Sequence, residues 1–403
     1  MANKFTLSDS SVALLFKKKY LKYQENVANR TFPTLSKVKK TADFVGEELQ
    51  KTIDLGWIGG AGAGDIPLSN RGIYIRPTLT SKSLYVTAEV NRRSVKQSKD
   101  PGSFVEGQKH MVQKVTEKFT WLRNFALWGT DANGRVAVID GGGVTDNGSG
   151  NYSLVLAAST YNRTKVEVRE IVNIGSASTD KFEITSHDPS TRTVVVQRLT
   201  GSTVPVAADE LYIQGGYGAF PTGIPYALGR SSASAHTLYG TSIQYRYEAY
   251  RKDASSAGIS VDLLNELMLS IHQQCGKSPT VLAVGYVQMR KLLDLIEDQK
   301  RYFTEGKVSN RSGDFSFNAI QFMSVDGPVP IVLEPFVEDN RVYALNPDYI
   351  EEHSAPDTPG WVDDDTGSIW LRKATDDFEA RYAWYGDNLI LPHYHGYIHT
   401  LAI

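Results

Sequence analysis

One stretch of this chain constrains its fold more than any other: residues 103–128 are written as a long helix, launched from Gly-rich extended chain that forms no core alone. Pro101-Gly102 breaks the preceding segment, Ser103 offers a cap to the first free N–H groups, and Glu106 three residues on completes a capping box. Gly129 ends the helix. Phe104, Met111, Val112, Val115, Phe119, Leu122, Phe125 and Ala126 recur at three- and four-residue steps, which predicts one buried stripe with Lys109, Lys114, Lys118 and Arg123 left in water. At 1.5 Å per residue the rod spans about 38 Å, the width of a small domain. A rod of that length braces something larger than itself.

Before the rod, the run Gly56-Trp57-Ile58-Gly59-Gly60-Ala61-Gly62-Ala63-Gly64-Asp65 is flexible, and strand-like segments follow at about 71–79 and 82–90 with a turn near Thr80-Ser81. In the second segment Leu84, Val86, Ala88 and Val90 share one face and Tyr85, Thr87 and Glu89 the other. An isolated two-stranded hairpin is marginal in water, so its apolar face needs a partner, either the body of this chain or a neighbouring subunit.

Composition bounds the rest. A chain of 403 residues with 41% hydrophobic side chains suits two to three globular domains with real cores. A formal net charge of −2 argues against a chain whose main task is to grip nucleic acid through a strongly basic face. The single cysteine, Cys275, allows no intrachain disulfide and no cysteine zinc cluster, and reads as a buried thiol on a helix. No run of about eighteen apolar residues marks a membrane span. Val12 to Phe16 runs directly into Lys17-Lys18-Lys19 without a signal-peptide core, so a soluble protein made in a cytoplasm is expected.

Residues 1–56 read as an arm, sparsely apolar and carrying ten Lys/Arg against six Asp/Glu. Its cluster Lys17, Lys18, Lys19 and Lys22 fits a solvated helix face, an acidic neighbour or nucleic acid. After the rod, Gly141-Gly142-Gly143 and Asp146-Asn147-Gly148-Ser149-Gly150 break the pattern, and short β-rich runs alternate with turns from Tyr152 to Ile213. These predict a small antiparallel sandwich or barrel inserted at about 140–222. Beyond Gly223, a helix at 261–275, a strand at 280–284, a helix at 285–298 and strands at 331–333 and 341–345 predict an α/β domain. The aromatic-rich stretch 378–403 alternates like long strands returning to the rod.

This order of parts resembles the major capsid protein of tailed bacteriophages with the Hong Kong 97 fold. The resemblance rests on two stretches: Asn124-Phe125-Ala126-Leu127-Trp128-Gly129-Thr130-Asp131-Ala132-Asn133-Gly134 at the exit of the spine helix, and Ala380-Arg381-Tyr382-Ala383-Trp384-Tyr385-Gly386-Asp387-Asn388-Leu389 near the C-terminus, followed by Pro392-His393. It implies an α+β chain with an N-terminal arm (1–56), an extended loop (57–90), a spine helix and peripheral domain (91–139), an inserted β domain (140–222), an axial domain (223–375) and C-terminal strands returning to the peripheral domain (376–403). The implied function is that of a structural, non-enzymatic shell subunit forming pentamers and hexamers of an icosahedral head around double-stranded DNA. It would be made in the host cytoplasm and built into the virion. The extended loop and arm would lie against neighbours through Trp57, Arg71, Tyr74, Arg76, Lys82, Tyr85, Phe16 and Tyr20, burying the hairpin's apolar face between chains. Lys17, Lys18, Lys19 and Lys22 would face the DNA without sequence preference. A separate scaffolding protein is expected, because only about 56 residues precede the loop; a portal and a decoration protein are further implied partners. Lys82 is a candidate donor for an inter-subunit cross-link, with no matching acceptor. A cellular nanocompartment shell of the same fold is the near alternative.

Chemical readings are weaker. Gly60-x-Gly62-x-Gly64 lacks the spacing and the strand–helix context of a dinucleotide loop, and no G-x-x-x-x-G-K-[ST] motif occurs. His393, His395 and His399 sit at two- and four-residue steps of a presumed strand and suit one metal ion, against the plainer reading of an aromatic core. Asp363-Asp364-Asp365-Thr366-Gly367 reads as a solvated acidic turn or a Ca²⁺ loop without the EF-hand spacing. Glu351-Glu352 reads as a loop pair. A β-rich hydrolase using these histidines or acids is the alternative of another class; otherwise no cofactor or metal is expected.

Overall fold

The computed structural model describes residues 32–56, 73–91, 101–175, 179–229, 237–242, 247–298, 303–307, 318–324, 327–362, 371–372 and 377–403. The helix Pro101–Leu127 runs for 27 residues, about 40 Å. It starts two residues ahead of the expected cap, with proline in the first turn, where a missing N–H costs nothing. Ser103 therefore lies inside the helix; the capping box and the stripe's first half fall on side chains outside those described. From Phe119 onward the single-stripe expectation fails: Phe119, Thr120, Leu122, Arg123, Asn124, Phe125, Ala126, Leu127 and Trp128 are all buried. The last turns, from Phe119 on, are closely enclosed, because three other units pack around them.

The first unit is a six-stranded sheet built on the long strand Asp377–Ile390. Lys82–Asn91 pairs antiparallel along residues 377–386, and Ile350–Ser354, Gly360–Val362 and Leu371–Arg372 also pair with the long strand. Lys39–Thr41 adds parallel to Ile350–Ser354. The expected hairpin between 71–79 and 82–90 is therefore corrected. Thr78–Thr80 pairs with Glu48–Gln50 and Ile73–Ile75 with Ile53–Gly56, so the loop's two legs come from either side of residues 57–72. The reason lies in the alternation of Lys82–Asn91, whose ten residues find a ten-residue antiparallel register on the C-terminal strand. Its inward Leu84 and Ala88 are buried within this chain, beside the helix, not between subunits. Glu351-Glu352 lies in a strand rather than a loop.

The second unit is a closed barrel of six strands between Arg135 and Ile213, the barrel rather than the sandwich that the sequence left open. Alternate residues Tyr152, Leu154 and Leu156 and, two strands on, Phe182, Ile184, Val194 and Val196 fill its interior.

The third is a seven-stranded mixed sheet covered by the helices Val261–Cys275 and Tyr286–Asp298. Ser260 Oγ caps the first helix by accepting from Leu263 N at 3.2 Å, and Gly276 closes it at φ +67°, a conformation that side chains rarely adopt. Val281–Val284, apolar throughout, is buried on both faces at the sheet's centre. Leu264, Leu267, Met268, Ile271 and Leu292 pack on it with Leu282, Val284, Ile331, Val342 and Ile398. The last strand, Gly396–His399, joins this sheet between Tyr250–Asp253 and Val342–Leu345. Only 377–390 returns to the rod; the expectation for the whole C-terminal stretch is corrected, since Gly396–His399 joins the seven-stranded sheet and Ile398 packs in its core.

Candidate assembly surfaces

The surfaces available for assembly are held by polar links at the crossing of the three units. Glu334, fully buried at the end of the axial strand Gly327–Leu333, accepts from Asn124 Nδ2 of the spine helix at 2.8 Å. Its other oxygen accepts from Thr34 Oγ1 at 2.7 Å and Thr34 N at 3.3 Å. One carboxyl thus ties the short helix Pro33–Lys37, the rod and the axial sheet; burial pushes its pKa up, and these hydrogen bonds pull it back. Arg123, expected in water, is only 8% exposed; it pairs with buried Glu352 and lies 4.4 Å over the Trp384 ring. An ion pair this deep is needed because either charge alone would be stranded in the core.

The C-terminal motif works at the same crossing. Asp387 accepts from Thr222 N at 2.7 Å, Thr222 Oγ1 at 3.2 Å and Asn388 N at 2.8 Å, while Asn388 Nδ2 donates to Thr222 O at 2.8 Å. Burial pushes the Asp387 carboxyl up to about 6. This fastens the long strand to the segment leaving the barrel. Next to it Gly223 runs so close to the helix exit that an added Cβ would lie 2.3 Å from Gly129 O.

The extended loop leaves from a strap anchored on Ile350–Ser354. Lys51 Nζ lies 2.7 Å and Lys39 Nζ 3.6 Å from Glu351, and His353 sits between Asp43 at 2.7 Å and Glu351 at 3.3 Å. Phe44 tucks into a small core with Leu79 and Leu389. On the loop's return leg Tyr74 is 51% exposed and Arg76 is exposed. Tyr85 is 48% exposed on the outer face of the six-stranded sheet, edge-on to Tyr385. Lys82 is half-buried and donates to Gly218 O at 3.2 Å. The structure thus sets Tyr74 and Arg76 on the loop and Lys82 and Tyr85 on a separate sheet. Trp57, Arg71, Phe16, Tyr20, Lys17, Lys18, Lys19 and Lys22 lie outside the described residues, as do Gly60 to Gly64.

The metal reading of the histidines loses its premise. Pro392–Tyr394 is a 3₁₀ turn, so His393 and His395 do not share a strand face. His395 is fully buried and its Nδ1 accepts from Asn346 N at 3.1 Å, which places its proton on Nε2. His399 faces Asp253 at 3.9 Å. Among the described residues no three His, Cys, Asp or Glu side chains gather as a metal site requires. The acidic run from Asp363 lies outside them. Cys275, half-buried, has its thiol pKa raised by burial. Among the described residues no helix is long and apolar enough to cross a membrane.

Sequence reasoning missed Glu334, Arg123 with Glu352, and Tyr239. Only Tyr239 carried a local signal, the Tyr239-Gly240 pair between short β-prone dipeptides that marks a two-residue hairpin.

A family model described as SU10 major capsid protein matches residues 214–357, from the last barrel strand's exit through the axial helices to the strand that carries Glu351. Among solved structures, the Cyanophage A-1(L) capsid asymmetric unit superposes with a TM-score of 0.55 at 10% identity, over 92% of this chain and 93% of that one. A chain of Gordonia phage Cozz gives 0.42 at 10% identity over 92% and 86%. The SrpI encapsulin complex of Synechococcus elongatus PCC 7942 gives 0.46 at 7% identity over 93% and 89%. No curated protein matches. Rod, loop legs, long C-terminal strand and seven-stranded sheet are the parts of the Hong Kong 97 fold, and the likeness to the cyanophage capsid chain shows that fold. Over residues 214–357 the chain is, in addition, similar to the SU10 major capsid protein family.

Proposed function

We propose that this chain builds an icosahedral head shell of pentamers and hexamers around packaged double-stranded DNA, with the axial domain at the five- and six-fold centres. The observation that carries the reading is the match of residues 214–357 to a phage major capsid model on a chain of this fold. It favours a virion over a cellular nanocompartment. The extended loop, with Tyr74 and Arg76 exposed on its return leg, lies over a neighbouring subunit, and Tyr85 on the outer sheet face belongs to the same contact. The arm lysines Lys17, Lys18, Lys19 and Lys22 contribute salt-sensitive, sequence-independent contact with DNA. A separate scaffolding protein, a portal and a decoration protein complete the particle, and the subunit is made in the host cytoplasm.

The test is the triple variant Tyr74→Ser, Arg76→Glu, Tyr85→Ser. All three side chains are exposed, so the subunit should keep its circular dichroism and thermal midpoint while closed shells disappear from electron micrographs. Normal shells from the variant would overturn the placement of this contact.

A further inference from the structure

The hairpin Thr237–Leu238/Thr241–Ser242 turns through Tyr239 and Gly240, both in the left-handed region at φ +52° and +73°. Gly240 adopts that conformation freely, whereas for a bulky residue such as tyrosine it is a true outlier, kept only where surroundings hold it. Hydrogen bonds to both its phenol and its backbone hold Tyr239. Its phenol donates to Asn388 O at 2.5 Å and accepts from Ile390 N at 3.0 Å, filling the place of a strand neighbour at the end of Asp377–Ile390. Its carbonyl accepts from Thr78 N at 3.0 Å, on the return leg of the extended loop. Next to it Thr241 Oγ1 donates to Arg76 O at 3.5 Å, and the Tyr239 ring packs on the small core of Phe44, Leu79 and Leu389. One residue therefore touches the strap, the loop leg and the last residues of the long strand.

We propose that Tyr239 is the clasp that sets the angle at which the extended loop leaves the subunit body, and that it acts as a positioning residue for shell closure. The second half rests on the reading that the loop lies over a neighbouring subunit. The leg Ile73–Ile75 runs into this root, so a change at Thr78 shifts the exposed Tyr74 and Arg76, where a neighbour must be met. The strained turn is maintained because a residue with a phenol and a backbone carbonyl at that point links two segments that no ladder joins.

The experiment uses the full chain with Tyr239→Phe, which keeps ring, hairpin and backbone but deletes the hydroxyl, and Tyr239→Gly, which relieves φ and deletes the ring. Tyr247→Phe is the control, since that buried hydroxyl has no hydrogen-bond partner among the described residues. Amide exchange is read in the unassembled subunit, and particle diameter by electron microscopy after assembly. In Tyr239→Phe the Ile390 amide, which loses its acceptor, should exchange about tenfold faster and the Thr78 amide, whose acceptor carbonyl is kept on a loosened turn, by less, and particles should spread in diameter or fail to close. Tyr239→Gly should do both more strongly, and Tyr247→Phe neither. Unchanged exchange in both Tyr239 variants would overturn the clasp. Faster exchange with a wild-type diameter distribution would overturn its role in closure. Failure of the wild-type chain to form shells even with the proposed scaffolding protein would speak against the capsid reading itself, leaving the exchange result to stand alone.

Discussion

Replacing Asp387 by asparagine should stabilise the subunit at neutral pH and do so less in acid. The carboxyl is 3% exposed and receives three hydrogen bonds, yet burial outweighs them and holds it near pKa 6 against an ordinary 3.8. Between those values the folded chain keeps a proton that the unfolded chain has released, so stability falls as pH rises through the window. About two units at 1.36 kcal/mol each give a cost of about 3 kcal/mol, fully present above pH 6 and gone below pH 3.8. The amide is neutral, keeps an oxygen for the Thr222 and Asn388 N–H groups, and offers its NH₂ to Thr222 Oγ1, which can accept as readily as donate. The nearby Lys82 charge favours the carboxylate and trims the gain. The assay is urea unfolding of unassembled wild type and Asp387→Asn at pH 7.5 and 4.5, read as the difference between the two proteins so that other titrating groups cancel. The variant's advantage should be about 2 kcal/mol larger at pH 7.5 than at 4.5. A difference that does not change with pH would refute the reasoning, because it would mean that the carboxyl titrates alike in both states.

Other substitutions test the same crossing. Lys165 is wholly buried and held down near pKa 8 by that burial, so its folded state sheds a proton before the unfolded chain does. Stability should rise by up to about 3 kcal/mol between pH 8 and 10.5 from this group, and Lys165→Met should abolish that slope in urea titrations. Arg123→Met strands the Glu352 carboxylate and should cost about 3–5 kcal/mol, most of it recovered in the double variant Arg123→Met, Glu352→Leu. Glu334→Ala leaves Asn124 Nδ2 and the Thr34 N–H and hydroxyl without their acceptor; a loss of about 1–3 kcal/mol is expected, with the segment 32–37 becoming the first site of limited proteolysis.

The parts legible in the sequence were those whose signal is local. The rod, the two axial helices and the alternation of Lys82–Asn91 follow from spacing within a dozen residues. The partner of that strand did not, because it lies almost three hundred residues away and nothing near Leu84 names Trp384 as its neighbour across the ladder. Arg123 was misplaced for a related reason: a guanidinium reads as wet until a buried carboxylate is known, and Glu352 sits in a strand whose short Ile350–Ser354 run looks like a loop. Glu334 and Asp387 are single acids in apolar stretches, and their roles exist only where Thr34, Asn124 and Thr222 converge. The C-terminal motif itself was readable, since Asp387-Asn388 lies inside its own aromatic strand, but what those side chains grip was not.

Electron microscopy of the largest species from gel filtration, with the chain expressed alone and then with the proposed scaffolding protein, tests the central claim most directly. Closed shells or flat sheets of five- and six-membered rings are predicted; a uniform monomer or small oligomer under both conditions would contradict the account.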